Sequence, residues 1–97
     1  MRIEPDVVEE GRQDDLDLVA ESLRGDASAI AGLAIRLGCV PRILGSINQS
    51  MGYPIGPEDL ADLSQDTLTI IWSKLPSFQG RGRLETWSYR FCFLEFI

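Results

Sequence analysis

Histidine is missing from all 97 residues, and the two cysteines, Cys39 and Cys92, stand far apart without the close spacing of a metal knuckle. Together these absences exclude an imidazole general base and a Cys/His zinc site. No nucleophile and base pair, metal-ligand cluster or cofactor motif takes their place, so the expectation is a protein that is not an enzyme and needs neither metal nor cofactor. No run of about 18 apolar residues appears. The N-terminus is acidic where a secretory leader would be basic and then apolar. A soluble, cytoplasmic chain without membrane insertion is therefore expected. Neither a strand-period segment nor an internal repeat is present. A chain of this length with 44% hydrophobic residues suits one domain with a modest core.

Charge is unevenly spread. Residues 1–26 hold nine acids against three arginines, so the whole net charge of −6 sits there and residues 27–97 are neutral overall. The segment 79–90 is locally basic, with Arg81, Arg83 and Arg90 against Glu85 alone. Clustering of this kind, more than the net value, decides whether phosphates can be met.

Helical spacing organises the rest. Residues 1–13 are polar and aperiodic and read as a disordered lead-in. From Asp14 the positions Leu16, Val19, Ala20 and Leu23 repeat at helical spacing, and Gly25 with Asp26 reads as a stop followed by an N-cap. A second helix carries Ile30, Leu33, Ala34 and Leu37, then Ile43, Leu44, Ile47 and Met51, with a kink or break expected at Pro41. Gly52-Tyr53-Pro54-Ile55-Gly56 is turn chemistry. Pro57 suits the first position of a third helix, with Glu58 and Asp59 at the positive end of its dipole. In that helix Leu60, Leu63, Leu68, Ile71 and Leu75 fall on one side, and Asp62, Gln65, Asp66, Thr69 and Ser73 on the other. Pro76 ends it. A loop rich in breakers runs to Gly82, and from Arg83 a fourth helix groups Leu84, Trp87, Phe91 and Leu94. The fold class is all-α, a compact bundle of four to five helices.

Three segments in order resemble region two of bacterial extracytoplasmic-function sigma factors, over roughly residues 14–92. The first runs from Asp17-Leu18-Val19 through Leu23-Arg24-Gly25-Asp26-Ala27-Ser28-Ala29-Ile30. The second and most specific is Asp62-Leu63-Ser64-Gln65-Asp66-Thr67-Leu68-Thr69-Ile70-Ile71-Trp72, similar to the family's D-L-x-Q-[DE]-x-[FL]-x-x-[LI]-W run. The third is Phe78-Gln79-Gly80-Arg81 with Thr86-Trp87-Ser88-Tyr89-Arg90. The resemblance implies a transcription-initiation domain at 14–97. Asp62, Gln65, Asp66, Thr69 and Trp72 would meet the clamp helices of the largest subunit of core RNA polymerase. Gln79, Gly80, Arg81, Arg83, Thr86, Trp87 and Arg90 would meet promoter DNA, at the single-stranded −10 element. An anti-sigma factor is a further partner that the family allows.

The residues bear on these roles independently. Carboxylates flanking an amide at i, i+3, i+4 and i+7 suit pairing with arginines across an interface. From periodicity alone the same stripe reads first as a solvated helix face, and the surrounding motif is what favours an interface. Glycines at 80 and 82 let backbone approach a ligand, and Arg81 and Arg83 can neutralise phosphates. Trp87 shares its phase with Leu84 and Phe91, which makes it core first, with only an edge left for DNA. Phe78 is also read as core, and Trp72 as lying at the margin of its apolar face. After Arg90 the sequence departs from the family: residues 91–97 are apolar, and Phe93 and Ile97 share the side of Arg90. The chain also stops before the family's C-terminal helix-turn-helix, and is expected to be a piece truncated ahead of that domain. The competing interpretation is a sigma-like helical interaction module, an adaptor or decoy without DNA-melting activity.

Overall fold

The computed structural model describes the backbone of residues 5–97 and the side chains of residues 13–97. Among the described residues five α-helices follow one another: α1 (Pro5–Leu23), α2 (Ala27–Arg36), α3 (Cys39–Ser50), α4 (Pro57–Lys74) and α5 (Leu84–Phe96), with a 3-10 turn at Leu75–Ser77 after α4. Among the described residues there is no strand, and the all-α class holds. The first helix starts earlier than Asp14, because Pro5 fits the opening turn of a helix and the next turns contain no proline. The described backbone thus takes in most of the expected lead-in, and residues 1–4 of it lie outside the described residues.

Local chemistry sets the other boundaries. Gly25 takes φ +90°, which ends α1. Asp26 then caps α2, its side chain accepting from the Ala29 N–H at 2.8 Å. The second predicted helix is broken, as Pro41 required, but the break falls at Leu37 and Gly38. A proline ring clashes with the carbonyl four residues back, here that of Leu37, so the chain must leave the helix before it. Pro41 then sits in the first turn of α3, where its missing N–H leaves no helical bond unmade. At the other end of α3, buried Asn48 closes the turn to α4: its amide donates to the Ile55 carbonyl at 2.9 Å and accepts from the Ile55 N–H at 3.1 Å. This holds Tyr53 at φ +60°, in the left-handed region.

All five helices contribute to the core, α1 through Val19. Leu33, Leu37, Val40, Leu44, Ile71, Leu75, Leu84 and Cys92 are fully buried, and Trp72, Trp87 and Phe91 pack half-buried against them. α1 lies along α2 and reaches the 3-10 turn, while α3 packs on both α4 and α5. Four apolar faces differ from expectation, and in the first two, those of α1 and α2, Ala20, Leu23, Ile30 and Ala34 are exposed. In α4, Ser64 and Thr67 are buried while Leu60, Leu63 and Leu68 are only half-buried. Their hydroxyls donate to the Leu60 and Leu63 carbonyls of their own helix, so burial leaves no polar atom stranded. In α5 the buried line is Leu84, Ser88 and Cys92, and Leu94 is 63% exposed. Both cysteines are free, and burial pushes the thiol pKa of Cys92 up to about 11.

The Ser88 hydroxyl is buried and meets no hydrogen-bond partner among the described residues. An unmade buried hydrogen bond costs about 1–3 kcal/mol, and alanine is also the better helix former. Ser88→Ala is expected to stabilise the domain by about 1 kcal/mol in urea unfolding. A stability loss would show that the hydroxyl has a partner.

Candidate functional site

Two surfaces gather the residues singled out in the sequence. The first is on α4. Pro57 opens that helix with Glu58 and Asp59 in its first turn, and the outward side then presents Asp62, Gln65, Asp66 and Thr69, all exposed. Thr69 bonds back to the Gln65 carbonyl at 3.0 Å. Neither Asp62 nor Asp66 takes part in an ion pair among the described residues. Trp72 is half-buried against the core, so only part of its ring is available at the end of the stripe.

The second surface forms where the loop after α4 meets α5. A recess of about 330 Å³ is lined by Gln79, Gly80, Arg81, Thr86, Trp87 and Arg90, together with Ser77, Phe78 and Gly82. Six of the seven residues proposed from sequence to meet DNA are thus neighbours around one cavity. Arg83 does not line it; it is exposed at the N-cap position of α5. Two aromatic rings make one wall, Phe78 and Trp87, which stand edge to face at 5.2 Å; Phe91, outside the recess, packs on Trp87 at 4.8 Å. Trp87 is therefore both core and lining. Phe78 is buried, as its hydrophobicity predicted. Gly80 is buried too, and its close approach is to Leu16 of α1: a Cβ there would lie 2.6 Å from Leu16 Cδ1.

A group of residues that sequence reasoning passed over holds this corner in place. Arg83 supplies no side-chain cap for α5. Instead Asp15, in α1, accepts from the Leu84 N–H at 2.9 Å across a separation of 69 residues. Asp15 is 3% exposed and also pairs with Arg36 at 3.0 Å. Arg36 in turn makes a two-pronged contact with Glu85, Nε donating to Oε2 at 2.7 Å and Nη2 to Oε1 at 2.9 Å. A carboxylate at a helix N-terminus suits both the orphan N–H groups and the dipole. The hydrogen bonds to Arg36 hold the Glu85 carboxyl below its ordinary pKa, and those to Glu85 and Asp15 hold Arg36 above its own. The available signals were weak ones: Asp15 shares the inward phase of Val19 and Ser22, and Arg36 is the one charge in an otherwise apolar helix.

No family model matches the chain, and no curated protein and no solved structure matches it.

Proposed function

We propose that this chain is a transcription-initiation domain of the sigma region two kind, which binds core RNA polymerase and holds an unstacked base of the promoter's −10 element. The observation that carries the proposal is the recess: aromatic walls, glycine backbone and arginines converge on one cavity at the end of a helix with a separate acidic, exposed stripe. Its volume of about 330 Å³ lies at the small end of ligand pockets. The parts have matched roles. A base taken out of its stack is held by ring contacts worth roughly 1–3 kcal/mol each and by edge hydrogen bonds, here from Gln79 and Thr86. Arg81, Arg83 and Arg90 neutralise the flanking phosphates. Asp62 and Asp66, with Gln65 between them, pair with arginines on the clamp helices of the largest polymerase subunit.

With residues 27–97 neutral overall, free domain binds DNA weakly, and the polymerase complex is the species to test. Reversing both charges with Asp62→Arg and Asp66→Arg is expected to weaken binding to core polymerase roughly a hundredfold, with the helical circular-dichroism signal unchanged. Unchanged co-elution with polymerase would remove the stripe from the interface. The second interpretation, a helical interaction module without DNA function, draws on exposed Tyr89, Phe93, Leu94 and Ile97 along α5. Under it polymerase or a regulator still binds, but single-stranded −10 DNA does not, and neutralising Arg81 and Arg83 changes nothing.

A further inference from the structure

Two adjacent side chains of α1 hold the two ends of the loop that shapes the recess. Leu16 lies against Gly80, which takes φ +69° and has no room for a Cβ. Asp15 accepts from the Leu84 N–H at the start of α5. From α2, Arg36 ties Asp15 to Glu85, the residue just before Thr86 of the recess. Between the two fixed points lie only residues 81–83, which include Arg81 and Arg83. Fixing the ends of so short a loop removes most of its conformational freedom before any ligand arrives.

We infer that Asp15, Leu16 and Arg36 form a positioning latch, through which the docking of α1 sets the shape of the recess and so its hold on a nucleobase of single-stranded DNA. This rests on the proposed role of the recess. None of the three lines it, so they are positioning residues and touch no base. α1 packs chiefly on α2 and the 3-10 turn, and the α4 stripe makes no part of the latch. A partner that draws α1 away therefore slackens the loop and releases the strand, while polymerase stays bound. The latch gives the domain a control point separate from both binding surfaces.

The test uses the full chain bound to core polymerase. Strands retained by the parent complex are recovered from a randomised single-stranded DNA pool and serve as the probe. Asp15→Asn keeps an acceptor for the Leu84 N–H and drops the charge; Leu16→Ala frees Gly80 and leaves the ion pairs intact; Asp15→Ala removes cap and charge together. Asp15→Ala is expected to lower strand affinity roughly tenfold. Asp15→Asn and Leu16→Ala are expected to lose less, and all three to keep parental affinity for polymerase. If Asp15→Ala does not fold, the other two carry the comparison. Strand affinity equal to the parent's in the folded variants overturns the latch, and so does a parallel fall in polymerase affinity, which would mark general loosening. A parent complex that retains no strand overturns the base-site role, and the latch falls with it.

Discussion

An Arg36→Ala chain should unfold about 2–3 kcal/mol more easily than the parent at neutral pH. The loss has two unequal parts. Asp15 is buried, so without Arg36 its carboxyl keeps the Leu84 N–H as its surviving partner. That residue of buried, half-compensated charge is the larger cost. Glu85, with 38% of its side chain in contact with water, rehydrates cheaply, so its share is no more than about 1 kcal/mol. The pH dependence provides a second signature. Arg36 depresses the folded pKa of Glu85 below its ordinary 4.5. The stability this pairing contributes is fully present above that pH and is lost as pH falls through the folded value. Urea unfolding of parent and variant should therefore give a gap that narrows in acid by the Glu85 share, about 1 kcal/mol. A gap that stays constant from neutral pH to well below 4.5 would show that Glu85 is not coupled to Arg36.

Leu44→Ala is expected to be the more damaging change, at about 3–4 kcal/mol. Leu44 is fully buried in α3, the helix that packs on both α4 and α5. Deleting its branched end loses transfer energy and leaves a cavity that the three helices cannot close without giving up their contacts elsewhere. Domains of this size are stable by only about 5–15 kcal/mol, so the variant should lose a large fraction of its margin and melt well below the parent. A loss below about 1 kcal/mol would place Leu44 outside the packed centre.

Punctuation made most of the helix boundaries legible. Pro57 at the start of α4, the Gly25 and Asp26 pair between α1 and α2, and Pro76 after α4 each act on their nearest neighbours, so their effect can be read from the residue itself. The break between α2 and α3 was legible in kind and displaced in position, since a proline acts on the carbonyl four residues behind it. The core faces were harder. Ser64 and Thr67 carry polar labels, but a hydroxyl that bonds within its own helix costs little to bury, and no pattern of hydrophobicity reports that.

The candidate site divides along the same line. The stripe at Asp62, Gln65, Asp66 and Thr69 is a property of one helix, and its exposure follows from spacing. The loop residues are close in sequence, and their gathering around one cavity follows from a short turn. Asp15, Arg36 and Glu85 belong to three helices, and only the folded chain brings them together. Gly80 shows both aspects: the need for glycine was visible, but what demands it is Leu16, a side chain far away in sequence.

The interruption at Gly38 has a consequence for the most apolar stretch of the chain. Residues Ala27–Ser50 are together long and apolar enough, by composition, for a bilayer-crossing helix. Divided as they are into rods of 10 and 12 residues, they rise only about 15 and 18 Å. A hydrocarbon layer is about 30 Å thick. In this fold the greasiest part of the sequence is two short struts, each too short to cross a lipid bilayer.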